Sequence, residues 1–173
     1  MLLFFFSGAP GCGKTVLAKE IAKQYRIPLF CKDHIQGFLF RQNLVTTNTI
    51  DGYLWILEQA KIQLSLGVGC ILDAAFPRQE FRDVAIRYAQ EHNAIFIPIY
   101  CYCSDKNLWK SRWISRSQTN HESHYMTFTW DDVERIETQF EMWEHPNLIQ
   151  LDAVKPYEEN LQILNEGVKK IAL

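Results

Sequence analysis

Apolar residues along the chain form short continuous runs separated by stretches in which they recur at helical spacing. Leu2 to Phe6 is the first run, breaking at Ser7, Gly8 and Pro10, which predicts a strand buried on both faces as in a parallel sheet. From Lys14 to Gln24, Leu17, Ala18, Ile21 and Ala22 recur with helical period, so a glycine-rich stretch joins a strand to a helix. Pro28 to Cys31 predicts a second strand, followed by Asp33 and an irregular region with a helical turn through Phe38 to Gln42. Thr49 to Leu66 predicts a helix with Ile50, Tyr53, Leu54, Leu57, Ala60 and Leu64 on one stripe, stopped by Gly67.

The alternation continues to the end. Cys70 to Leu72 predicts a buried strand ending at Asp73, Pro77 to Glu91 a helix, Ala94 to Cys103 a fourth strand, and Lys106 to Arg116 a helix. That helix leads into the polar stretch Ser117 to Ser123, expected to be a mobile loop or lid. Thr129 to Glu144 reads as a helix opened by a capping box between Thr129 and Asp132. Leu148 to Leu151 predicts a fifth strand and Pro156 to Ile171 a last helix. Regular alternation predicts an α/β domain spanning 1–173, a parallel sheet with helices on both faces, and ligands at the carboxyl ends of the strands.

Composition narrows the class of function. A chain of 173 residues, 47% hydrophobic and 22% charged, has enough apolar surface for its own core and no signature of disorder. Its net charge of -2 supplies no general attraction to nucleic acid, although a local basic groove stays compatible with it. The apolar start, Met1 to Phe6, is too short to span a bilayer and lacks a basic flank, so a cytoplasmic protein is expected. Five cysteines, four of them in apolar runs, are expected to be reduced core residues. Cys101 and Cys103 share one strand face, which fits neither a zinc knuckle nor a thioredoxin-type pair.

The chemistry concentrates in Gly8-Ala9-Pro10-Gly11-Cys12-Gly13-Lys14-Thr15, a full match to the pattern of glycine, four variable residues, glycine, lysine and threonine. Glycines let backbone amides turn inward around phosphate oxygens, and the following helix adds its positive end. Lys14 supplies charge at the β and γ phosphates of a nucleotide, and Thr15 supplies a hydroxyl for magnesium. Asp73, ending an apolar strand, is placed to hold that magnesium as a Walker B aspartate does; a helix cap before Pro77 is its alternative role. Asp33 follows the second strand, where a carboxylate can take the proton of an acceptor hydroxyl, or form a capping box with Gln36.

Arg112 and Arg116 lie four apart on the helix entering the polar loop, spaced to bracket phosphate oxygens or to form a solvated face with Lys106 and Lys110. Arg78 and Arg82, at the start of the helix after Asp73, oppose its dipole and point either to an anionic partner or to surface solvation. Trp109 and Trp113 are assigned to packing, and His121, His124 and Tyr125 show no metal pattern.

Taken in order, the Gly8 to Thr15 loop, Asp33, Leu72-Asp73-Ala74-Ala75-Phe76-Pro77 with Arg82, and Arg112 with Arg116 resemble the small P-loop kinases of the polynucleotide kinase, zeta toxin and chloramphenicol phosphotransferase type. The resemblance implies a three-layer α/β/α P-loop fold with a five-stranded parallel sheet in order 2-3-1-4-5, and a short lid at about 112–127. It also implies the strand-two aspartate as base, a lid supplying arginine, and ATP with Mg2+ as the reactive pair. Cys31-Lys32 stands where the family often carries a hydroxyl residue, and 37–48 matches no substrate signature, so the acceptor stays open. The expected function is an ATP- and Mg-dependent phosphotransferase acting on a small molecule or nucleotide. The alternatives are a polynucleotide 5'-hydroxyl kinase and a non-kinase ATPase or nucleotide switch.

Overall fold

The computed structural model describes residues 1–44, 49–117 and 129–172, without the side chains of 49–51, 116 and 117. The elements are β1 (Leu2–Ser7), α1 (Lys14–Tyr25), β2 (Leu29–Cys31), α2 (Lys32–Arg41), α3 (Thr49–Ser65), β3 (Cys70–Asp73), α4 (Gln79–Glu91), β4 (Ile95–Tyr102), α5 (Lys106–Ser117), α6 (Trp130–Thr138), β5 (Ile149–Asp152) and α7 (Tyr157–Ala172). The expected lid lies outside the described residues from 118 onward, as do His121, His124 and Tyr125 and the end of the stretch 37–48.

All five strands run parallel in the order β2-β3-β1-β4-β5. The central strand explains the layering. Along β1 the side chains alternate, so Phe4 and Phe6 join one core with α1, α5 and α7, while Leu3 and Phe5 join a second with α3 and α4. All four are fully buried, each side chain contributing roughly 1.5–3 kcal/mol by leaving water. Helices on both faces of a parallel sheet make the three-layer P-loop fold that the motifs imply. Among the described residues no helix is long and apolar enough to cross a membrane.

Several elements depart from the sequence pattern, each for a reason of packing. The helix α2 occupies most of what reads as irregular, starting at Lys32 directly from β2, with Cys31 at its N-cap position and no side-chain cap. The Asp33–Gln36 capping box is therefore not formed: Gln36 instead accepts a hydrogen bond from Lys32 Nζ at 2.8 Å. On α3, Leu54 is exposed and the buried stripe runs through Tyr53, Ile56, Leu57, Ala60 and Leu64.

The helix expected over 129–144 stops at Thr138, although its Thr129–Asp132 capping box is present. Beyond it the backbone bonds elsewhere, Glu141 N–H donating to the Pro77 carbonyl at 3.0 Å and the Glu141 carboxylate accepting from Gln79 N–H at the start of α4. Arg82 lies beneath this segment, fully buried, donating from Nη1 to the Glu141 carbonyl at 3.0 Å and lying 5.4 Å from the Trp143 ring. Surface solvation is thus wrong for Arg82, which serves as an internal brace. Arg78 is solvent-facing and paired with Glu80 at 3.1 Å.

Candidate active site

The loop between β1 and α1 turns through three glycines with positive φ, Gly8 at 136°, Gly11 at 85° and Gly13 at 80°. At Gly8 no other residue fits, because a Cβ would stand 1.9 Å from the Cys101 carbonyl oxygen of β4. Gly13 occupies the N-cap of α1, which has neither a side-chain cap nor an acidic residue in its first turn. The free amides and positive end of the helix are therefore available to an anion. Lys14 is buried and lies across the loop, its Nζ donating to the Ala9 carbonyl at 2.8 Å. The Cys12 side chain points into the core, and burial raises its thiol pKa to about 12, so it stays protonated and unreactive.

Two features missed in the sequence hold this loop. Trp109 of α5 is buried and donates from Nε1 to the Pro10 carbonyl at 2.7 Å, while Gly11 leaves the space that Trp109 and Trp113 fill. On the other side, the Ala75 carbonyl accepts from Gly8 N–H at 3.1 Å and from Ser7 Oγ at 2.8 Å. That carbonyl is aimed by Phe76, which adopts φ 47° and stacks on Phe5 with ring centroids 4.1 Å apart. A left-handed aromatic residue costs about 1–3 kcal/mol, offset here by complete burial.

The register Cys31↔Asp73 sets the ends of β2 and β3 side by side at the carboxyl edge of the sheet. Asp73 is 2% exposed, and its carboxylate oxygens make no well-formed hydrogen bond, the Thr15 hydroxyl and Cys31 thiol being near enough only to stabilise its charge. Burial raises its pKa, opposed by the charge of Lys14 and the nearby Thr15 hydroxyl and Cys31 thiol, and reinforced by the negative charge of Asp33. The helix-cap alternative for Asp73 fails, since Arg78 occupies the N-cap of α4. Asp33 sits in the first turn of α2 with its side chain half exposed and its Oδ1 3.0 Å from Lys32 Nζ.

Two buried oxygens without a well-formed hydrogen bond beside a lysine and a threonine hydroxyl suit a hard cation, so Thr15 and Asp73 fit magnesium. Among the described residues no three or more His, Cys, Asp or Glu side chains are arranged to hold a metal ion by themselves, and a cation that keeps most of its waters needs no such set. Arg112 donates from Nη1 to the Ala153 carbonyl just past β5. The side chain of Arg116 falls outside the described residues.

A family model described as an AAA domain matches residues 3–141. The chain belongs to the AAA domain family. The matched span contains the loop, both aspartates and the arginines on α5, in agreement with the resemblance to AAA-like P-loop kinases. Among solved structures, a candidate kinase from Chloroflexus aurantiacus J-10-fl superposes with a TM-score of 0.75 at 17% identity, covering 98% of this chain and 97% of that one. Kti12 from Chaetomium thermophilum, solved with ADP-AlF3, has a TM-score of 0.74 at 17% identity, covering 99% and 100%. A gluconokinase from Sinorhizobium meliloti 1021 gives 0.69 at 14% identity, covering 99% and 93%. Such identities show a shared fold for this AAA domain. No curated protein matches the chain.

Proposed function

We propose that this AAA domain is an ATP- and Mg-dependent phosphotransferase that moves the γ-phosphoryl group to a hydroxyl of a small molecule or nucleotide. The observation that carries the reading is the pair of carboxylates at the ends of adjacent strands, Asp73 buried without a well-formed hydrogen bond and Asp33 half exposed. Their environments separate two roles, a metal ligand inside and a proton acceptor facing solvent. The kinases and the ADP-AlF3 complex among its structural neighbours support it.

In this reading the amides of Gly8 to Thr15 and the start of α1 hold the phosphates, and Lys14 leaves the Ala9 carbonyl to meet the β and γ oxygens. Thr15 and Asp73 would hold magnesium, which supplies charge neutralisation along the phosphate chain. Asp33 accepts the proton of the acceptor hydroxyl as its oxygen bonds to the γ phosphorus. The bond from that phosphorus to the bridging oxygen breaks, and ADP leaves with the electron pair. Arg112 and Arg116 are assigned to the lid at about 112–127, Arg112 exchanging the Ala153 carbonyl for a phosphate oxygen on closure. The unit acts as one domain over 1–173 in the cytoplasm, with a small acceptor favoured over nucleic acid by the net charge of -2.

The test is ADP release from ATP and magnesium across nucleosides, sugars, antibiotics and 5'-hydroxyl oligonucleotides, for wild type and Lys14→Ala. Stimulation by one class, lost in the variant, names the acceptor; stimulation by oligonucleotides alone would move the assignment to a polynucleotide kinase. Equal release with and without every acceptor would favour the switch reading.

A second expectation concerns the loop's buttress. Trp109→Phe removes the donor to Pro10 and leaves that carbonyl unpaired, a loss of about 1 kcal/mol of loop order. The Kd for ADP with magnesium should rise about 5-fold by titration calorimetry. An unchanged Kd would mean that the hydrogen bond does not shape the phosphate cradle.

A further inference from the structure

Trp130 is half-buried at the first position of α6, and the reaction above gives it no task. Its ring meets the Trp109 ring of α5 in a T-shaped contact, with centroids 5.0 Å apart and planes at 76°. The Lys110 ammonium stands 5.7 Å from the centre of the Trp130 ring. One turn further along α6, the Glu134 carboxylate meets Lys106 Nζ of α5 at 2.8 Å. Hydrogen bonding from Lys106, with help from the Trp130 indole, holds that carboxylate below its ordinary pKa. Val133 is fully buried in the same core as Trp109, Ala9 and Cys12, so α6 shares a core with the phosphate loop.

The indole of Trp109 is the link between the two. It is 1% exposed, and its Nε1 donates to the Pro10 carbonyl at 2.7 Å. A buried indole needs such an acceptor, but its outer torsion has a broad minimum, so the rotamer alone does not fix where the N–H points. The neighbours of the ring fix it. At Gly11 a Cβ would stand 3.2 Å from Nε1 and 3.5 Å from Cδ1, so this glycine lets the loop lie against the edge that carries the donor. The Trp130 ring sets the plane, because a T-shaped pair has a preferred geometry that rotation of either ring forfeits. The Lys106–Glu134 ion pair crosses the same joint at the surface, where such a pair contributes little.

We propose that Trp130 is a positioning residue for the phosphate cradle: from α6 it fixes the plane of the Trp109 indole, so that Nε1 holds the Pro10 carbonyl and nucleotide affinity depends on how α6 sits on α5. The proposal rests on the nucleotide-binding part of the reading above, while the state of the Trp109 indole can be read without any ligand. Three variants separate aim from simple packing. Trp130→Met fills the space with a flexible chain that has no plane, Trp130→Phe keeps a ring, and Lys106→Met breaks the ion pair across the joint and leaves both indoles.

The experiment measures the Kd for ADP with magnesium by titration calorimetry and the solvent exchange of the Trp109 indole N–H by NMR, that resonance being assigned by its loss in Trp109→Phe. For Trp130→Met we expect a Kd about 4-fold higher and an indole N–H that exchanges about 10-fold faster. Trp130→Phe and Lys106→Met should both stay within about 1.5-fold of wild type. Trp109→Phe combined with Trp130→Met should bind about 5-fold more weakly than wild type, as Trp109→Phe does alone, because the second change acts through a bond already lost. A combined loss of about 20-fold, the product of the single losses, would overturn the proposal, as would a loss in Lys106→Met equal to that in Trp130→Met. Where Trp130→Met does not fold, Trp130→Phe decides: Kd and indole exchange that stay together near wild type or move together support the proposal, and a Kd raised 3-fold or more with unchanged exchange overturns it. If wild type does not bind ADP with magnesium, the nucleotide reading fails, and the indole exchange alone decides whether Trp130 aims Trp109.

Discussion

Asp73→Asn should lose magnesium-dependent turnover by roughly 10²–10³-fold while the nucleotide-free protein becomes more stable. The two effects have one cause. Asp73 is a buried carboxylate whose loss of hydration outweighs the help of Lys14, Thr15 and Cys31, which makes it costly to the fold and available to a cation. Replacing it by a neutral amide removes about 1–2 kcal/mol of that cost, a rise in Tm of about 2–8 °C for a chain of this size. The pH dependence has a definite sign. Burial raises the folded pKa of Asp73 above its unfolded value, so the folded state binds the extra proton between the two. Wild-type stability attributable to this group is present in acid and is lost as pH rises through the folded pKa. The stability difference between Asp73→Asn and wild type should therefore widen from acid toward neutral pH in thermal melts without nucleotide. Saturating ADP and magnesium should shrink it, because a metal compensates the wild-type carboxylate and not the amide. A variant that melts lower than wild type and keeps its turnover would remove Asp73 from the metal site.

Asp33→Asn should abolish most of the transfer and leave nucleotide affinity in place. Asparagine keeps the shape and can still accept from Lys32 Nζ, now 3.0 Å from Asp33 Oδ1, but it cannot take a proton. General bases contribute about 10²–10⁴-fold, so kcat with the best acceptor should fall into that range. The loop between β1 and α1, not α2, supplies the amides proposed to hold the phosphates, and the Kd for ADP should change by less than about 2-fold. A kcat within about 3-fold of wild type would leave Asp33 as a helix-terminus partner of Lys32 and nothing more.

Much of this site is legible in the sequence because its central part is local. Eight consecutive residues, Gly8 to Thr15, fix the cradle, and an apolar run ending in Asp73 marks the end of a buried strand. What escapes depends on contacts far apart along the chain. The β2 strand is only three residues and passes into α2 without a capping side chain, so no local signal marks the start at Lys32. Burial of Lys32 is decided by Gly52 and Tyr53 of another helix. Trp109 reads correctly as a packing residue, but its bond to Pro10 spans 99 positions. The early end of α6 follows from Glu141 serving α4 and Pro77, and Arg82 reads as solvated until that segment covers it. Local propensity favours helix through 129–144, and tertiary hydrogen bonds override it beyond Thr138.

In the proposed reaction the γ-phosphoryl group goes to a hydroxyl other than water. The most direct measurement follows ATP labelled in that group, with magnesium and the stimulating acceptor, and separates the products. Label is expected in a phosphate ester in amounts equal to the ADP formed, with little as inorganic phosphate and none of either in Lys14→Ala. Label found only as inorganic phosphate, at a rate indifferent to every acceptor, would contradict it.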